Sequence, residues 1–134
     1  MLSIKKILIN TSMPSNSETI LSQQTHPGDS QTETVTGENF KGDGYYGRSD
    51  GFHTVQYDVA NFLGTIVIQG TLATAPADSD WFGITSTDHT STTNDSSSVT
   101  SDGSFIYNFT GNYVWVRAYV TYTDGTINSI KLNH

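Results

Sequence analysis

The sequence predicts an all-β protein, an antiparallel β-sandwich or jelly-roll-like fold with an extended N-terminal arm, and three observations carry the prediction. Short runs of β-branched and aromatic residues recur along the 134 residues, and no long helical periodicity interrupts them. Between the runs Ser, Thr, Asn and Gly abound while hydrophobic residues make up only 34%, a balance that favours short strands with polar connections. Near the end, two such runs at 113–123 and 126–132 flank Asp124-Gly125, the strongest short-range signal for a hairpin turn. The expected division is a strand and polar arm over 1–41 and a β-sandwich domain over 42–134, together near the commonest domain size.

Taken in order, residues 4–10 read as a first strand, with Ile7 and Ile9 on one face, ended by the polar cluster around Pro14. Lys5, Lys6 and the apolar residues after them have the order of a signal peptide. The apolar run is short and no small-residue cleavage site follows, so a strand is expected. Residues 17–24 fit either a short strand or one helical turn. From 25 to 41 the apolar anchors are Val35 and Phe40, too little to offset roughly 1–2 kcal/mol of backbone entropy per residue. Such a segment orders most simply against neighbours in an assembly, as an arm or a strand added to another subunit's edge. A path along its own domain is the alternative.

Residues 41–51 set four glycines around Tyr45, Tyr46 and Arg48 and read as tight turns. No strand precedes them, no Lys-Ser/Thr pair closes them and no helix follows, which argues against a phosphate loop; Asp43 and Asp50 lack the ligand density of a calcium loop. Residues 52–59 alternate as a strand with Val55, Tyr57 and Val59 on one face. A turn is expected at 61–64, then a strand over 65–72 whose Ile66, Ile68 and Leu72 share a face with Gly70, where a bulge or an overlying ring is expected. After a loop at 73–80, a short strand at 81–84 carries Trp81 over the sandwich edge. Residues 85–104, with Val99 alone apolar, read as an exposed loop or loosely paired outer strand. A strand at 104–109 leads into the last hairpin. There Val114, Val116, Ala118 and Val120 face the core, opposite Tyr113, Trp115, Arg117 and Tyr119.

The formal net charge of −7 argues against nucleic acid, and no apolar run approaches the ~20 residues of a membrane-spanning helix. With no cysteine there is no disulfide, thiolate metal site or cysteine nucleophile, which fits a reducing cytoplasm. His26, His53, His89 and His134 have no metal-ligand spacing and are expected in loops or solvent, a composite site in three dimensions being the alternative. Asp78 and Asp80 read as a loop capping a strand, and no serine sits in a G-x-S-x-G elbow. Sequons at Asn10, Asn94 and Asn108 are formal only. No catalytic residue, cofactor or metal is therefore expected. The aromatics Tyr45, Tyr46, Trp81, Trp115, Tyr119 and Tyr122 offer either a sugar-stacking platform or anchors for a protein interface, core packing being the competing reading of the two Trp. The candidate interface is Tyr45, Tyr46, Trp81, Trp115, Arg117 and Tyr119.

The run Phe109-Thr110-Gly111-Asn112-Tyr113-Val114-Trp115-Val116-Arg117-Ala118-Tyr119-Val120, followed by Asp124-Gly125-Thr126-Ile127 and Ile130, resembles a pattern of small virion proteins of tailed bacteriophages. In that pattern a strand of the form aromatic-apolar-Trp-apolar-Arg-Ala precedes a Gly-Thr-Ile turn and a last strand. Residues 61–72, with Asp80-Trp81 after them, are similar to its partner half. The resemblance spans 52–132 with a gap over the Ser/Thr loop and leaves out the N-terminal third. It implies a non-enzymatic virion component made in the host cytoplasm: a capsid decoration or cement protein bound through its arm and sheet surface. The implied partners are the major capsid protein and other virion proteins, with many copies or a homo-oligomer. A neck, tail or fibre accessory subunit, and a carbohydrate-binding module contacting the host surface, are the alternatives. Neither nucleic acid nor membrane is an expected partner.

Overall fold

A computed structural model describes residues 17–91, 93–94 and 97–134, with side chains described outside 92–98. The strand expected at 4–10 lies outside the described residues. The strands are β1 (Glu18–Leu21), β2 (Gln24–Thr25), β3 (Glu33–Thr36), β4 (Phe40–Lys41), β5 (Phe52–Thr71), β6 (Phe82–Gly83), β7 (His89–Thr90), β8 (Thr93–Asn94), β9 (Ser97–Ser98), β10 (Ser101–Thr110) and β11 (Trp115–Asn133). All pairings are antiparallel. Among the described residues nine strands form one sheet, and β8 pairs with β9 apart from it.

Two long strands, β5 and β11, pair from Trp115↔Thr71 to Asn133↔Thr54. The other edge of β11 takes β4, β3, β2 and β1 in succession, and that of β5 takes β10 along its first half, then β7 and β6. The turns expected at 61–64 and 124–125 are therefore not hairpin turns but bends inside continuous strands, facing each other at Asp124↔Leu63. Asn61 and Gly125 have φ of 52° and 98°, so the positive-φ chemistry was legible but serves bulges instead. Inward-facing residues show the consequence. On β5 they run Val55, Tyr57, Val59, then change parity to Phe62, Ile66, Ile68; on β11 they run Val116, Ala118, Val120, Tyr122, then Ile127, then Ile130 and Leu132. One extra residue flips a strand's faces, and each bulge restores the apolar side to the interior. Gly125 packs so tightly at the bend that a Cβ would fall 2.5 Å from the Phe62 Cα.

The bends double the sheet over. A straight strand would separate Tyr57 from Ile68 by about 36 Å. Instead the Tyr57 hydroxyl donates to the Thr87 carbonyl at 2.7 Å, and Thr87 Oγ1 accepts the Ile68 N–H at 2.9 Å. At the far end the Gly42 N–H donates to the Val114 carbonyl before β11 begins, while its neighbour Asp43 meets His134 after β11 ends. One core cluster accordingly joins Val55, Tyr57 and Leu132 to Ile68, Val116 and Val120. The core is built within one continuous antiparallel sheet.

Other expectations need correction. The polar stretch 25–41 takes the intramolecular path and not the neighbour-held one: β2, β3 and β4 pair with β11 of the same chain, and Val35 and Phe40 pack on the core. Residues 18–21 are strand, which decides the alternative left open there. Leu72 lies past the end of β5 and is exposed, and Val114 is only half-buried. At 81–84 only Phe82–Gly83 is strand, preceded by a 3-10 turn at Asp78–Asp80. The stretch 85–104 holds another 3-10 turn, β7 and the start of β10. At Gly70 the expected ring is present: a Cβ would lie 2.6 Å from Tyr113 Cδ1.

Candidate functional site

Strand alternation puts Trp115, Arg117 and Tyr119 on the face of β11 opposite its buried valines. The Tyr45 ring, carried by the turn after β4, lies 5.1 Å from Trp115 and 5.5 Å from Tyr46. Lys41 Nζ sits 4.7 Å over Tyr45 and the Arg48 guanidinium 4.6 Å over Tyr46. Tyr45 and Tyr46 are 46% and 50% exposed, whereas Trp115 is half-buried and donates from Nε1 to the Thr74 carbonyl. Trp81 is buried: Arg117 covers its ring at 4.2 Å and donates from Nε to Gln69 Oε1 at 2.7 Å. Tyr119 is half-buried, opposite Val67 and Thr36. The structure thus brings Tyr45, Tyr46 and Trp115 together, pairs Trp81 with Arg117 beside them, and leaves Tyr119 further along the face. Tyr122 is not a surface aromatic; it is buried and stacks on Phe62. Asp80 caps its 3-10 turn by accepting the Ala77 N–H at 2.8 Å, as a loop residue would.

Beneath Tyr46 lies a cluster that the spacing of the histidines did not reveal. Asp43 and His53 are 1% and 2% exposed, and the His134 side chain 5%. His134 donates from Nδ1 to Asp43 Oδ1 at 2.6 Å. His53 donates from Nδ1 to the Gly51 carbonyl at 2.8 Å; a carbonyl only accepts, so Nδ1 carries the proton and Nε2 a lone pair. That Nε2 faces Asp43 Oδ1 at 3.9 Å and, among the described residues, is the one buried side-chain polar atom without a hydrogen-bond partner. Phe109 stacks on the ring at 4.5 Å. Burial pushes the His53 pKa down against the opposing Gly51 hydrogen bond and Asp43 charge, which keeps the ring neutral. Burial alone would raise Asp43, but the His134 hydrogen bond and smaller contributions from Asp50 and the histidines leave it lowered, so it is a carboxylate. Arg48 reaches its Oδ1 at 3.4 Å, and Glu18 Oε1 stands 3.5 Å from His134 Nε2.

His26 and His134 lie outside the strands, as expected of loop residues, but the expectation of solvent exposure is overturned, since His26 and His89 are buried too. Both of those are saturated. His26 accepts the Gly28 N–H at Nδ1 and donates from Nε2 to the Gln31 carbonyl, so the nearby Asp29 and Glu33 find no lone pair there. His89 meets the Tyr107 hydroxyl at 2.7 Å and Ser101 Oγ at 2.9 Å. Parity was the available signal: His53 shares the face of Val55 and Tyr57, and His134 that of Ile130 and Leu132. No protein-family model matches this sequence, and no curated protein matches it.

Proposed function

We propose that this chain is a non-enzymatic structural component of a bacteriophage virion, a capsid decoration or cement protein that docks on the major capsid protein in many copies. The observation that carries the reading is the exposed Tyr45–Tyr46 pair, flanked by Lys41 and Arg48 and continuous with Trp115. Two half-exposed tyrosines braced by cations and a Trp form a preordered anchor that buries on a partner at little conformational cost. The phage-like pattern of residues 109–127 supplies the kind of partner. In this reading the doubled-over sheet serves as a sandwich or jelly-roll-like module, and docking rests on the aromatic surface, since 18–41 are engaged in the chain's own sheet. A neck, tail or fibre subunit would use the same surface.

The glycan-binding alternative finds less support. Tyr45 and Tyr46 meet at 77° and Tyr45 and Trp115 at 56°, so they offer no flat platform, and Arg117 covers Trp81. The test is co-sedimentation with particles from the same genome that lack this protein. Wild type should bind, and the double variant Tyr45→Ala/Tyr46→Ala should bind at least ~10-fold more weakly while keeping its fold. Absence of wild-type binding, or equal binding by the variant, defeats the proposal.

A further inference from the structure

We infer that Asp43, His53 and His134 form a binding site for a divalent transition-metal ion of the Zn2+ type, independent of the docking surface above. One ligand atom from each lies within 4.8 Å of the other two. Two imidazole nitrogens and a carboxylate oxygen are a donor set suited to borderline cations such as Zn2+ and Co2+, and unlike the all-oxygen sites of Ca2+ and Mg2+. The second observation is the lone pair of His53 Nε2. It is buried, has no hydrogen-bond partner among the described residues, and faces a carboxylate 3.9 Å away. Two acceptors facing each other in a buried space call for an electrophile between them. The Gly51 carbonyl at Nδ1 fixes the tautomer in the way that backbone carbonyls orient metal-bound imidazoles.

Filling the site requires defined changes. A tetrahedral ion at about 2.0–2.1 Å from each donor sets the donors about 3.3 Å apart, so His53 and Asp43 close slightly and the 2.6 Å His134–Asp43 pair opens. The His53 and His134 rings lie 20° from parallel, so the His134 ring turns to bring its Nδ1 lone pair to bear. The hydrogen on His134 Nδ1 gives way to the metal, and the ring binds as a neutral imidazole whose one N–H is at Nε2, where Glu18 Oε1 stands 3.5 Å away to accept it. Arg48, half-exposed and 3.4 Å from Asp43 Oδ1, is the competing cation and swings away toward Tyr46 and solvent. Because Asp43 follows β4, His53 lies in β5 and His134 follows β11, the ion ties together three segments at the closed end of the sheet.

The experiment titrates the full metal-stripped chain with Zn2+ by calorimetry and with Co2+ followed by visible absorption. One ion should bind per chain, with Co2+ d–d bands of a nitrogen-containing site and a melting temperature that rises with metal. His53→Phe, which keeps the stack on Phe109, should weaken binding at least ~10-fold, and His134→Ala likewise, whereas His26→Gln should leave it unchanged. Arg48→Gln should tighten binding, which a merely structural arginine would not do. The wild-type Co2+ spectrum needs no variant to fold. Absence of Co2+ bands and of Zn2+ heat, or binding that survives His53→Phe, overturns the site; loss on His26→Gln would move it to the other histidine.

Discussion

The bend of the sheet and its closed end each bury a histidine, and they treat it differently. At the bend, His89 has a hydroxyl at each ring nitrogen, and the neighbouring Ser91 donates to the Phe62 carbonyl at 2.8 Å and accepts the Gly64 N–H at 3.3 Å. Every polar group named there is used. At the closed end, His53 is buried as deeply, stacked as well on Phe109, and anchored through one nitrogen only. The contrast teaches that this chain has hydroxyls enough to satisfy a buried imidazole where the joint is purely structural. Where it supplies a carboxylate and a second imidazole instead, the arrangement is suited to a ligand.

The comparison can be broken at several points. The largest effect is expected from Gly125→Val at the bend, where positive φ and the adjacent Phe62 backbone both oppose a side chain. Urea unfolding should show a loss of about 3 kcal/mol or more, and a value below about 1 would mean the bend is not the rigid joint described. Next comes His89→Leu, which strips the Tyr107 and Ser101 hydroxyls of their partner and should cost about 2–3 kcal/mol. His53→Phe removes only the donor to Gly51 and should cost about 1 kcal/mol or less without metal. Equal costs for the two histidines would erase the distinction between the ends.

The pH dependence sharpens it further. Burial depresses the His89 pKa, and the groups facing its ring are the Tyr107 and Ser101 hydroxyls with the rings of Tyr57, Phe62 and Phe105, none of them charged at neutral pH. The unfolded chain therefore takes up a proton first. This contribution to stability is full above about pH 6.5 and is lost as pH falls toward the depressed folded value. His89→Leu should flatten that part of a melting-temperature profile between pH 7.5 and 5, and an unchanged slope would remove His89 as its source. Smallest of all, Tyr45→Ala/Tyr46→Ala should shift stability by no more than about 1 kcal/mol, because both rings are only half-buried and lie outside the core.

Much of this was legible in alternation. Val55-Tyr57-Val59, Ile66-Ile68 and Val116-Ala118-Val120 were placed on inner faces by period two, and all are buried. What misled was that a bulge and a hairpin turn use the same residues. Gly125 and Asn61 take positive φ here as they would in a turn, and only pairing over the whole length of β5 and β11 shows that the chain continues. The parity change from Val59 to Phe62 was the local clue. The aromatic set was found because each member is conspicuous alone, although burial of Trp81 under Arg117 depends on a partner strand. The cluster of Asp43, His53 and His134 could not be read from spacing, because the closure of a bent sheet, and no local repeat, brings those three positions together.

The central place of β11 also constrains how the chain comes to be folded. It pairs with β1, β2, β3, β4 and β5, and it follows all of them in the sequence. Among the described residues, as the chain leaves the ribosome, the first four strands have no partner, and β5 has only β10 and the short β6 and β7, until residues 115–133 emerge. The sheet therefore assembles late and through long loop closures, so slow folding belongs to the topology itself.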